Sequence, residues 1–288
     1  MKVLVTGATG YIGKHLVDRL ITIPNVELVL CARNINELRW GGLQALELDI
    51  KVFEDFSIIK GSDYDLLIHL AWGELNDYKS IGHLENEYIH HFSFLKKLIE
   101  DGLSNVTILG TCFEYGMQYG ELKEDMPTNP TTSYGIAKDT LRRSMELLCA
   151  THEVNFKWLR LFYIWGSDQP ERTLFGQLKR AVDRGDATFP LSGGEQLRDY
   201  LEISEVVERI TCIALQDREQ GVINCCSGTP ISIRNLVEQY VEQLGNPKID
   251  LKWGTVPYAA HEAMAFWGDA KKIKNILNIS ANRSIQVP

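Results

Sequence analysis

The sequence predicts an α/β protein, a doubly wound parallel sheet carrying a smaller, interleaved C-terminal lobe. Three observations predict it. Short apolar runs, Val3-Leu4-Val5, Leu28-Val29-Leu30, Leu66-Leu67-Ile68-His69-Leu70, Val106-Thr107-Ile108-Leu109 and Lys157-Trp158-Leu159-Arg160-Leu161, alternate with helical stretches. A glycine-rich loop separates the first run from the first helix. Beyond Gly166 the texture changes, with Pro170, Pro190 and Gly193-Gly194 interrupting shorter helices. The first four runs, apolar nearly throughout rather than at every second residue, mark strands buried on both faces, and residues 157–161 read as another strand.

Taken in order, the first helix places Ile12, Leu16, Leu20 and Ile23 on one stripe, as a helix lying on a sheet requires. The strand at residues 157–161 follows a helix carrying Leu141, Met145 and Leu148. Val222-Ile223-Asn224 predicts a further strand, and a helix runs from Ile233 to Leu244. The expected division is a dinucleotide-binding domain over residues 1–165, to which 200–226 return. Residues 166–199 and 227–288 then form the substrate lobe.

The chain of 288 residues is 44% hydrophobic and 24% charged, ordinary for a globular protein. Thirty basic against 38 acidic residues give a net charge of −8 with no basic block, which argues against nucleic acid or an anionic membrane surface as partner. The six cysteines, at 31, 112, 149, 212, 225 and 226, form no C-x-x-C pair. That spacing fits free thiols in a reducing compartment, with no disulfide framework and no metal site. No apolar stretch approaches the roughly 20 residues of a membrane span, and the start is no signal peptide, so a cytoplasmic enzyme is expected.

Gly7-Ala8-Thr9-Gly10-Tyr11-Ile12-Gly13 is a G-x-x-G-x-x-G loop between strand and helix. Glycines there let backbone N–H groups approach a pyrophosphate at the helix N-terminus, the arrangement of a Rossmann domain. The second strand ends Cys31-Ala32-Arg33-Asn34, with no carboxylate for a ribose 2′-hydroxyl and an arginine suited to a 2′-phosphate. NADPH is therefore the expected cofactor and NADH the other candidate; Arg33 as a plain solvated charge is the bland alternative. Asp49 and Ile50 fall where the adenine ring would lie, although Asp49 could equally cap the next segment.

In Tyr134-Gly135-Ile136-Ala137-Lys138 a spacing of four puts Tyr134 and Lys138 on one helical face. A nearby ammonium favours phenolate, so Lys138 is expected to lower the Tyr134 pKa. Thr111, just after a strand, would hold the reacting oxygen against Tyr134, or else satisfy backbone groups at the strand end.

With these motifs the sequence resembles the extended short-chain dehydrogenase/reductase family of nucleotide-sugar epimerases, dehydratases and ketoreductases. The resemblance spans nearly the whole chain through residues 5–13, His69-Leu70-Ala71, residues 111–116, 134–138 and 160–166, and Arg198-Asp199-Tyr200. It implies that Lys138 also binds the nicotinamide ribose and that Leu70, Ala71 and Trp72 line the cofactor. Sugar dehydratases of the family follow the threonine with Asp-Glu. Here Cys112-Phe113 follow, and Glu114, one place late in an expected extended segment, would point away, which argues against dehydration.

The substrate set implied by the resemblance is Thr111, Cys112, Tyr163, Arg198 and Tyr258. Arg198 would grip the diphosphate, Tyr163 stands where the family often has asparagine, and Glu262, Gln169 and Arg172 are further candidates. An Arg198–Asp199 surface pair is the structural alternative. The activity implied is NAD(P)H-dependent reduction of the C4 ketone of a nucleotide-diphosphate 4-keto-6-deoxyhexose, for deoxysugar and surface-polysaccharide synthesis. The alternatives are a 4-epimerase with tightly held NAD and a non-catalytic NADP(H)-sensing regulator. A homodimer through residues 85–99 and the Tyr134 helix is a further expectation.

Overall fold

The computed structural model describes residues 1–258 and 263–284. Seven parallel strands form its sheet: β1 (Lys2–Thr6), β2 (Glu27–Ala32), β3 (Gln44–Glu47), β4 (Leu66–His69), β5 (Asn105–Thr111), β6 (Asn155–Leu161) and β7 (Gly221–Cys225). Their spatial order is β7-β6-β5-β4-β1-β2-β3. The order reverses between β1 and β4, and the crevice at such a switch point is where open α/β sheets bind ligands. Each apolar run expected as a strand is one. Strand β3 was not expected, because it lies at the sheet edge and is largely exposed, so it carries no apolar run.

Alternate residues of each strand point to opposite faces and build two cores. Val3, Val5, Leu28, Leu30, Leu66 and Ile68 face helices α1 (Tyr11–Ile21), α5 (Ile203–Leu215) and α7 (Lys271–Ser284). Leu4, Val29, Leu67, Val106, Ile108 and Trp158 face α2 (Tyr88–Glu100) and α3 (Ser133–Thr151). At about 25 cal/mol per Å² of apolar surface removed from water, these two cores dominate the stabilisation of the fold.

A third core gathers Phe175 and Leu178 of α4 (Leu174–Arg184) with Leu236, Val237 and Tyr240 of α6 (Ile233–Gln243). Phe189 joins them from a short strand that pairs with Asp250–Lys252. Two segments depart from the expected division. Helix α7 buries Ile273 and Ile276 against the sheet, not in the lobe, and Tyr200 turns toward the lobe core. Both follow their apolar faces.

Among the described residues no helix is long and apolar enough to cross a membrane. All six cysteines are free, and five of them are buried.

Candidate active site

At the switch point Gly7 adopts φ +75°, and a Cβ there would lie 2.7 Å from the Ala71 amide nitrogen. Only glycine fits that junction of the β1 and β4 loops. A side chain at Gly13 would run into the Gly7 carbonyl oxygen. Gly10 caps α1 with no side-chain acceptor, so the first amides of the helix keep their donors for another partner. This cradle fits a dinucleotide pyrophosphate.

A cleft of about 560 Å³ opens there. Its lining brings together Gly7, Thr9, Gly10, Tyr11, Ile12 and Gly13, Arg33, and Leu70, Ala71 and Trp72, with Thr111, Cys112, Tyr134 and Tyr163. Gln169 and Arg172 also line it, and the Gln169 Nε2 is a buried donor without a partner among the described residues. Asp49 and Ile50 are outside that lining. The Asp49 carboxylate accepts the Lys51 amide in a local turn, and Ile50 is buried in the core. A larger cavity of about 920 Å³ lies beyond the 166–169 loop, but its cations Lys179 and Arg180 are already paired with Asp183 and Glu171.

Thr132 caps α3 by accepting the Gly135 amide, which sets Tyr134 in the first turn and Lys138 one turn on. Burial pushes the Tyr134 hydroxyl well above its ordinary pKa, Tyr78 adds to the rise, and the Thr111 hydroxyl opposes it. The Lys138 ammonium is buried, donates to the Leu109 carbonyl at 2.9 Å, and rests 3.8 Å from the centre of the Trp72 ring. Burial lowers its pKa from 10.5 to about 7, with Glu114 and Glu87 resisting. The expectation that Lys138 lowers the Tyr134 pKa therefore fails in this state. The lysine is turned to Leu109 and Trp72, burial lowers its own pKa, and the Thr111 hydroxyl only partly offsets desolvation of the phenol.

Thr111 satisfies a backbone group at the strand end, the structural alternative foreseen for it, and also reaches Tyr134. Its hydroxyl accepts the Phe113 amide at 3.3 Å, opening a 3-10 turn over Cys112–Tyr115, and it also meets Tyr134. The segment after Thr111 is thus a turn, not extended. Glu114 still points away from the cleft, for a different reason. Its carboxylate accepts the Thr111 amide, the Trp158 indole and the Arg160 guanidinium at 2.9, 2.9 and 2.7 Å. Rings of Tyr78, Phe113, Trp72 and His83 surround Tyr134, with Tyr78 stacked on it at 5.0 Å, and Tyr163 packs behind Phe113. Sequence reasoning missed Tyr78, since a loop residue carries no periodic signal.

The distal residues are not gathered into the cleft. Arg198 is buried, donates to the Leu197 carbonyl, and lies 4.6 Å from the centre of the Phe266 ring, beside Tyr163. Asp199 forms no surface pair with it. That buried carboxylate accepts the amides of Ser227, Gly228 and Gly268. Tyr258 donates to Glu195 on the lobe surface. Glu262 lies outside the described residues.

Residues 3–226 match the model of the NAD dependent epimerase/dehydratase family. The chain belongs to this family. Among its curated members, the dTDP-6-deoxy-L-talose 4-dehydrogenase (NAD(+)) of Aggregatibacter actinomycetemcomitans is 33% identical, covering 93% of this chain and 99% of that one. A UDP-glucose 4-epimerase of Halalkalibacterium halodurans is 26% identical over 86% and 81% of the two chains. The solved structure of MoeE5 in complex with UDP-glucose and NAD superposes with a TM-score of 0.79 at 25% identity, covering 96% and 92%. The family is the extended short-chain dehydrogenase/reductase group that the motifs resemble, and the α/β fold with its seven-stranded parallel sheet is the family's.

Proposed function

We propose that the protein reduces the C4 ketone of a nucleotide-diphosphate 4-keto-6-deoxyhexose, taking its electrons from NADPH. One observation carries this reading: Tyr134 meets Thr111 in the cleft that the glycine loop opens, at the carboxyl ends of the strands, where a carbonyl could reach both hydroxyls. A phenol that holds its proton suits donation to a developing alkoxide, which is the reductive direction. Thr111 orients the carbonyl oxygen toward that donor. Lys138 supports the phenolate left behind and holds the ribose. When bound, the reduced nicotinamide supplies the hydride.

Glu114 is consumed by Trp158 and Arg160, which leaves no acid–base pair beside Thr111 for elimination of water. The relatives named for 6-deoxy-sugar oxidoreduction at C4 support the sugar class, since the reverse of their named reaction is this reduction. Arg33 at the cleft rim supports NADPH, tested against NADH because the Aggregatibacter relative is named for NAD+.

The test is loss of the reduced-nicotinamide absorbance on mixing the protein with dTDP-4-keto-6-deoxyglucose. Faster loss with NADPH than NADH upholds both parts. No loss, with NAD released on denaturation, transfers the assignment to a 4-epimerase; no loss and no NAD leaves a different nucleotide sugar or a sensor.

A further inference from the structure

A buried polar line runs behind the cleft. Thr6 Oγ1 lies 2.8 Å from His69 Nδ1, His69 Nε2 lies 2.8 Å from His91 Nδ1, and His91 Nε2 lies 3.2 Å from the Glu87 carboxylate. All four side chains are buried. A carboxylate only accepts, so His91 must carry its proton on Nε2. Its Nδ1 then accepts from His69 Nε2–H, and His69 Nδ1 accepts the Thr6 hydroxyl. Glu87 thus sets the sense of every bond in the line.

The same carboxylate accepts the Gly73 amide at 2.7 Å, which ties down the end of the 70–73 loop, and it pairs with Lys51 at the surface. Trp72 is held between these anchors. His91 stacks on it at 4.7 Å and 17°, and its indole donates to His83 at 3.2 Å. On this ring sits the Lys138 ammonium.

We propose that Glu87 is a positioning residue for the tyrosine–lysine pair: through Gly73 and His91 it fixes Trp72, and with it the seat and the charge of Lys138. The proposal rests on the assignment of Tyr134 and Lys138 made above, and Glu87 lies behind the cleft, outside its lining. The charged and titratable groups facing Lys138 come from every element packed around it. Glu114 follows β5, but Arg160 at 2.7 Å and Arg142 at 3.7 Å answer its charge. His69 ends β4 and His91 lies on α2, and burial holds both neutral. Tyr134, on the lysine's own helix, keeps its proton. Glu87, ionised with its pKa lowered to about 2, is the remaining counter-charge, answered by a Lys51 that is half exposed.

Glu87→Gln and Glu87→Ala separate the two roles. The amide oxygen of glutamine can still accept from Gly73 and His91, so that variant removes the charge alone; alanine removes both. The readout is quenching of intrinsic fluorescence by NADPH, titrated between pH 6 and 9 on the intact protein, with no sugar present. Affinity should fall as Lys138 loses its proton. Glu87→Gln should move the midpoint of that fall by at least about half a pH unit toward acid, and Glu87→Ala should weaken binding at pH 6 at least about tenfold. A Glu87→Gln midpoint equal to the wild-type one overturns the charge role, and a Glu87→Ala affinity equal to wild type overturns the positioning. Should alanine fail to fold, His91→Phe, which keeps a ring on Trp72 but cuts its link to Glu87, takes its place with the same expected loss, and an affinity equal to wild type overturns the positioning. A wild type that binds NADPH but leaves the ketosugar untouched refutes the proposed reaction instead, and the binding titrations still decide the role of Glu87.

Discussion

Replacing Lys138 by methionine should abolish turnover and yet stabilise the fold, by an amount that depends on pH. Lys138 is 3% exposed, and burial lowers its pKa from 10.5 to about 7. The folded-state value is the lower one, so between pH 7 and 10.5 the unfolded chain binds more protons, and stability rises with pH across that window. At about 1.4 kcal/mol per pKa unit, burying this amine costs roughly 4 kcal/mol at pH 7 and roughly 2 at pH 9. Methionine avoids that cost but forfeits the bond to the Leu109 carbonyl and the contact with Trp72, about 1–3 kcal/mol together. These losses change little with pH. The advantage of Lys138→Met over wild type should therefore shrink by about 2 kcal/mol from pH 7 to pH 9. Urea unfolding of both proteins at the two pH values measures it. An equal difference at both would mean that Lys138 keeps an ordinary pKa, and the account of its burial would fall.

Other changes have equally definite outcomes. Tyr134→Phe removes the proton donor and should lower kcat by about 10²–10⁴-fold while NADPH still binds, seen by steady-state rates beside a fluorescence titration. Arg33→Ala should raise the KM for NADPH about tenfold or more and leave that for NADH nearly unchanged, as loss of a charge-assisted bond to the 2′-phosphate predicts. Glu114→Gln strands the buried Arg160 cation, while Arg142 keeps Asp139 and Glu146, and should cost about 3–5 kcal/mol of stability in chemical denaturation, since removing one partner of a buried pair leaves the other uncompensated.

The sheet was legible because β1, β2, β4 and β5 are buried on both faces and read as largely apolar runs, while exposed β3 had nothing to spell. The glycine loop and the Tyr134–Lys138 pair were legible because their chemistry is local, within one loop and one helical turn. What escaped was assembled from a distance. The line of Thr6, His69, His91 and Glu87 joins residues up to 85 positions apart, and no spacing announces it. The direction of the Tyr134 shift escaped for a related reason. Helical spacing brings an ammonium near a phenol, but desolvation of both depends on Trp72, Tyr78 and Phe113, which come from other loops.

The order in which the chain crosses the sheet has a consequence for synthesis. Strand β6 ends at Leu161, and its neighbour β7 ends only at Cys225, with the first part of the lobe and helix α5 between them. At about 5–20 residues per second, a nascent chain holds β6 as an open edge for several seconds while α4 and α5 are still being made. Such an edge offers unpaired N–H and C=O groups to any passing strand. The folding hazard of this protein is thus concentrated in one interval of translation, and a slow codon run placed between residues 162 and 220 would lengthen it.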